Sequence, residues 1–203
     1  MASSLVLCAS LALAPLGGRA ATIVDGWSEV KAPPPPVLQS VTVDPATTAL
    51  LVFDFVKQLC SGPVCTAALP VEAGLLHTAR ANHLLVVYSL IFGATPADVM
   101  PAVAPLGTEP VVQAGPDKFI GTDLQSILAT HGIKTVIVTG MTAQGVVLFT
   151  ASHAALTGFS VIVPIDAAPA ELPYAQQAVV WTLGNAPRIS AAVKLTTSDR
   201  IAF

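Results

Sequence analysis

Charge is what this sequence has least of: Asp, Glu, Lys and Arg together make up 10% of its 203 residues. Nine basic residues against twelve acidic ones leave a formal net charge of −3 and an isoelectric point near 5.7. There is no basic block to neutralise the phosphates of a nucleic acid and no polybasic helix to seek an anionic bilayer. Neither partner is expected for the mature chain. Glycine-rich phosphate cradles are missing too, since neither G-x-G-x-x-G nor G-x-x-x-x-G-K occurs. Histidine is confined to His77, His83, His131 and His153, scattered without paired spacing, so no zinc site is expected and no cofactor is implied.

Cysteine is scarce as well, limited to Cys8, Cys60 and Cys65. Cys8 lies in an apolar run that ends Leu11-Ala12-Leu13-Ala14-Pro15-Leu16 and is followed by small residues near Ala20-Ala21. The run is too short to span a bilayer and reads as a signal peptide over residues 1–21, although a positive first segment is lacking. The alternative is a buried N-terminal segment. Export to the periplasm or beyond would leave Cys60 and Cys65 as the only thiols, free to pair around Ser61-Gly62-Pro63-Val64 in an oxidising compartment. They could instead be small buried hydrophobes, or Cys60 could serve as a displaced nucleophile six residues beyond Asp54.

What the chain has in abundance is apolar surface, at 53% of residues, enough for one domain with a sheet buried on both faces. Residues 22–46 carry Pro33-Pro34-Pro35-Pro36 and read as an extended N-terminal arm; residues 47–203 form the domain. Apolar runs at residues 48–55, 83–89, 134–139 and 159–165 predict strands, with shorter ones at 110–113 and 191–196. Between them, residues 69–82, 122–131, 144–156 and 173–183 have helical spacing or caps, with Pro70 expected in the first turn of its helix. Residues 93–109 read as a long loop of the kind that often carries function. Strands alternating with helices give an α/β, doubly wound three-layer sandwich.

Ligands of such sheets bind beyond the carboxyl ends of the strands. Asp54 sits at the first of those tips, where partial burial would raise its pKa and suit it to general acid or base work; the competing role is a loop cap or a partner for a nearby Lys. The turn Gly140-Met141-Thr142-Ala143-Gln144-Gly145-Val146 leads from strand to helix, and its backbone N–H groups would face the same mouth. Met141, Thr142, Ala143, Gly145 and Val146 are therefore candidate substrate-binding residues; otherwise the segment is only a tight connection.

Several ordered segments resemble the isochorismatase-like hydrolases. They are Leu50-Leu51-Val52-Phe53-Asp54, Ala79-Arg80 with Val86-Val87-Tyr88-Ser89, Gly121-Thr122-Asp123-Leu124, Gly132 through Gly140, Thr150-Ala151, and Gly158-Phe159-Ser160-Val161 through Asp166-Ala167. The resemblance implies a mainly parallel six-stranded sheet and, in most members, an Asp-Lys-Cys triad that hydrolyses amides of small molecules. The family's Asp falls on Asp54. Its nucleophilic Cys falls on Val146, an isopropyl group that cannot attack a carbonyl. Its Lys falls near Gln113 or Ala114, whereas the nearby cation is Lys118; that residue either substitutes from a shifted loop or is an exposed lysine or partner of Asp117. His153 is expected as a surface or packing residue.

Isochorismatases proper also lack the Cys and use the Asp as an acid toward a vinyl ether. On that pattern the chain is a Cys-independent hydrolase of a small anionic or carbonyl-containing molecule, with Asp54 moving the proton and Lys118 helping the Met141 to Val146 turn hold the substrate's anionic group. The alternative is a catalytically inactive small-molecule-binding or interaction protein on the same scaffold. A chain this apolar is expected to form a homo-oligomer.

Overall fold

The computed structural model describes residues 22–203. The signal peptide expected over residues 1–21 lies outside them. The chain divides at Pro34/Pro35 into two compact units. Residues 22–34 of the first hold one short 3-10 turn, Trp27–Glu29, preceded by a bend in which the Asp25 carboxylate accepts the Thr22 amide at 2.9 Å.

The second unit carries the sheet. Its strands are β1 (Val41–Thr42), β2 (Thr48–Phe53), β3 (Leu85–Leu90), β4 (Val111–Gln113), β5 (Thr135–Gly140), β6 (Ser160–Pro164), β7 (Val193–Thr196) and β8 (Ile201–Ala202). Six of them run parallel in the order β4-β3-β2-β5-β6-β7, while β1 and β8 pair separately. Residues 35–46, read from sequence as arm, therefore belong to the sheet-bearing unit: Gln39 donates its amide to the Leu195 carbonyl at 2.9 Å, and Val41 pairs with Ile201. Two-residue strands are too short to leave a periodic signature.

All of β2 is buried, which is why it reads as an unbroken apolar run. Its Leu51 and Phe53 face a core shared with Val136, Val138, Val161 and Val163. Helices α2 (Leu124–Thr130), α3 (Leu148–Leu156) and α4 (Pro173–Asn185) cover that face through Leu128, Ala151, Ala154 and Leu183. Leu50 and Val52 face the other core, with Val86, Tyr88 and Ile137, and helix α1 (Pro63–Ala81) closes it. The three-layer, doubly wound architecture expected from the alternation is present.

Helix α1 begins at Pro63, six residues before the expected start, because Gly62 and Pro63 make a good N-terminus. Pro70 thus sits inside the helix, on its exposed side, where the carbonyl it leaves without an amide donor can bond to water. The helix expected over residues 144–156 is also broken. Ala143–Val147 forms a wide π-type turn with Gly145 at φ −107°, ψ −106°, and regular helix starts only at Leu148.

Candidate active site

The chain order runs from β2 outward to β4, then returns to β5 and proceeds to the other edge. The reversal falls between β2 and β5, so a crevice opens beyond their carboxyl ends. Register aligns Phe53 with Gly140 on one side and with Ser89 on the other, which brings Asp54, Ser89 and Gly140 to one place. Gly140 has φ 149°, and a Cβ there would lie 2.7 Å from both Cβ and the carbonyl oxygen of Phe53. No side chain fits at that crossing.

Asp54 has a positive φ of 58°, a left-handed conformation that turns its side chain off the strand line and that Asp tolerates better than most residues. The residue is 4% exposed. Lys118 Nζ donates to Oδ2 at 2.7 Å, and Ser89 Oγ donates to Oδ1 at 3.0 Å. Burial pushes the Asp54 pKa above the ordinary carboxylate value, opposed by the charge and hydrogen bond of Lys118 and then by the Ser89 bond. Each oxygen keeps lone-pair capacity for a further proton donor.

Lys118 is neither an exposed lysine nor the partner of Asp117. Its side chain is fully buried, and Nζ also donates to the Ala114 carbonyl at 3.1 Å. Asp117 instead takes His153 Nδ1 at 2.8 Å and the Phe119 amide at 3.0 Å. His153 stacks on Phe119 with ring centroids 4.5 Å apart, the packing role expected of it. The loop is pinned where Lys118 N donates to Thr150 Oγ1 at 3.2 Å. Lys118 does not line the cleft in front of Asp54, and its ammonium is engaged by the Asp54 carboxylate and a carbonyl.

A cleft of about 290 Å³ opens in front of Asp54, with Met141, Thr142, Gly145 and Val146 on one side and Phe92 and Pro116 on the other. Ala143 does not join them: it is buried in the core and donates its amide to the Pro169 carbonyl at 2.8 Å. Amides of Gly145 and Val147 bond back to the Thr142 carbonyl, at 3.1 and 3.4 Å. These two donors of the turn are thus satisfied internally and are not available to an anion. Val146 presents its isopropyl group where the resemblance expects a thiol. Cys60 and Cys65, with Cα atoms 5.1 Å apart, are paired as a disulfide, and neither lines the cleft. The expected functional loop 93–109 stays away from it too. Arg80 ties that loop to α1 through Glu109 at 2.7 Å and the Ala104 carbonyl at 3.0 Å.

A second buried carboxyl escaped the sequence reading. Glu72 of α1 is fully buried, and its Oε1 lies 3.0 Å from Thr139 Oγ1, which is itself 3.0 Å from the Leu51 carbonyl. One hydroxyl proton cannot serve both oxygens. A protonated Glu72 donating to Thr139, which then donates to Leu51, satisfies the chain. Burial accordingly pushes its pKa up to about 8, against the pull of a Thr139 hydroxyl turned to donate to the ionised carboxylate and with the charge of Asp166 adding to the rise. Among the described residues, no three His, Cys, Asp or Glu side chains gather as a metal site, and no helix is long and apolar enough to cross a membrane.

Comparison with known families agrees with this geometry: the model of the isochorismatase domain matches residues 48–193, most of the chain. The chain belongs to the isochorismatase family. An isochorismatase from Pseudomonas putida is a structural neighbour at TM-score 0.69 and 19% identity, covering 80% of this chain and 94% of its own. The N-carbamoylsarcosine amidase of Thermoplasma acidophilum is another, at TM-score 0.65 and 23% identity, with 75% and 97% covered. An isochorismatase family protein from Burkholderia thailandensis aligns at TM-score 0.66 and 21% identity over 79% and 95%. At these identities the neighbours establish the fold alone. No curated protein matches the sequence.

Proposed function

We propose that this family member hydrolyses a small carbonyl-containing molecule, or a vinyl ether that yields one, without a Cys nucleophile, using Asp54 as general acid and base. The observation that supports it is the Asp54 carboxylate itself: buried, held through both oxygens, and facing a cleft at the β2/β5 reversal. Its raised pKa brings it nearer to neutral pH, where a carboxylate exchanges protons more effectively. In carbonyl hydrolysis, Asp54 takes a proton from water as the water oxygen bonds to carbon. It returns that proton to the leaving group as the old bond breaks. Lys118 and Ser89 position the carboxylate. Neither lines the cleft. The Cys60–Cys65 pair supports export to an oxidising compartment.

Val146 favours a second reading, a binding protein on a hydrolase scaffold, since the wall where a nucleophile would stand is inert. Hydrolysis assays on a panel of small amides, imides, esters and vinyl ethers separate the two. Turnover by the parent that falls at least about 100-fold in Asp54→Asn, with the fold intact by circular dichroism, supports acid–base catalysis. Turnover indifferent to Asp54→Asn excludes it. No turnover on any substrate class favours the binding protein.

A further inference from the structure

The cleft in front of Asp54 does not end at its own walls. Phe92, Gly115 and Pro116 also border a neighbouring hollow of about 430 Å³, completed by Asp117, Ile120 and Phe149. Three large apolar side chains stand in water around it: Phe92 is 72% exposed, Ile120 67% and Phe149 51%. They come from three separate segments, the chain after β3, the loop after Lys118 and the first turn of α3. Their convergence beside a cleft marks them more strongly than scattered surface hydrophobes would.

The charges nearby are already used. Asp117 is held by His153 and the Phe119 amide, and Lys118 is buried against Asp54 and the Ala114 carbonyl. No free cation lines either hollow. An anion brought here would lose hydration with no side-chain cation to replace it, whereas an uncharged apolar group would lose only unfavourable contact with water.

We infer that the hollow ringed by Phe92, Ile120 and Phe149 is a substrate subsite for an uncharged aromatic or bulky apolar arm, whose reacting carbonyl or ether end lies at Asp54. The inference rests on the hydrolase reading for the position of the reacting end, and it narrows the substrate to a neutral molecule. Between the anionic and carbonyl-containing classes expected from sequence, it selects the uncharged member.

The test is a fluorescence titration of the full chain with N-phenyl-1-naphthylamine, an uncharged aromatic probe, followed by displacement with 2-naphthamide and with 2-naphthoate, a pair differing in charge. The probe should bind saturably at one site per chain, and the amide should displace it about 10-fold more effectively than the carboxylate, the equivalent of roughly 1.4 kcal/mol. Phe149→Ser and Ile120→Ser, both at exposed positions, should each weaken binding by about 5-fold or more while leaving the melting temperature unchanged.

Absence of saturable binding, equal displacement by the two ligands, or indifference to both substitutions would overturn the subsite. So would a dimer by sedimentation that Phe149→Ser dissociates, because the apolar ring would then be a contact between copies. Binding without turnover on any substrate class would sink the hydrolase reading and leave the subsite standing. Asp54-dependent turnover without probe binding would do the reverse.

Discussion

Two carboxyl groups lie buried near the carboxyl end of the sheet, and their surroundings separate them. Asp54 has a cation at 2.7 Å, a serine donor on its other oxygen, and a cleft in front of it. Glu72, behind the sheet under α1, has Thr139 on one oxygen, no partner on the other, and no opening to solvent. Both have raised pKa values for the same first reason, desolvation, but only at Asp54 does a nearby cation act against it. Asp54 has both a fixed positive charge that favours its ionised form and a path to a ligand, whereas Glu72 has neither and sits as a neutral packing group.

The largest way to break this contrast is Lys118→Met, which leaves Asp54 buried without its cation. Removing one member of a buried pair typically costs about 3–5 kcal/mol, so chemical denaturation should show a loss of that order. The double variant with Asp54→Asn should recover a large part of it, because the stranded charge is gone. Equal stability of the single and double variants would mean that Lys118 contributes by packing its stem and not by pairing.

Glu72→Gln acts on the other half of the comparison. The folded-state pKa is about 8 against an ordinary 4.5, so the folded protein holds a proton that the unfolded chain releases between those values. That contribution to stability is complete below about pH 4.5 and is lost as pH rises through about 8. Gln reproduces the neutral acid's donation to Thr139 and has no proton to lose. Thermal melts from pH 5 to 9 should therefore show a smaller fall for Glu72→Gln than for the parent, with near-equal values at pH 5. Asp54 shifts in the same direction, so any slope remaining in the variant belongs partly to it. Parallel curves for the two proteins would place the Glu72 proton elsewhere.

The fold and the first site residue were legible because both leave local signatures. Continuous apolar strands alternating with helices define the layers, and Asp54 interrupts the apolar sequence at the tip of β2. Lys118 was half legible. Spacing placed the expected lysine near Ala114, and the real side chain reaches back to that position, 3.1 Å from the Ala114 carbonyl. The path of the intervening loop is set by Thr150 and Thr122, which sequence spacing does not disclose. Ser89 was read only as a strand end because its role depends on register with Phe53, a pairing between segments far apart in the chain. Glu72 did leave a signal. It shares the stripe of Cys65, Ala68, Leu69, Leu75, Leu76 and Ala79, all buried, so a helix starting at Pro63 would have exposed it as an acid on a core face. The internal bonding of the 141–146 turn gave no such signal, since a backbone N–H looks the same in every sequence.

The smallest test sharpens the comparison at its serine. Ser89→Ala removes one neutral donor from Asp54 Oδ1 and leaves Lys118 in place, so the stability loss should be about 1 kcal/mol, well below that of Lys118→Met. Because the Ser89 bond holds the Asp54 pKa down, its loss should raise that pKa further. If ionised Asp54 is the base, the acidic limb of a pH–rate profile should move to higher pH, with the fold unchanged. The counterpart Thr139→Val takes away the acceptor of the Glu72 proton and should leave that limb where it was. A shift in both variants would mean that the two carboxyls titrate as one system, and the separation drawn from their surroundings would fail.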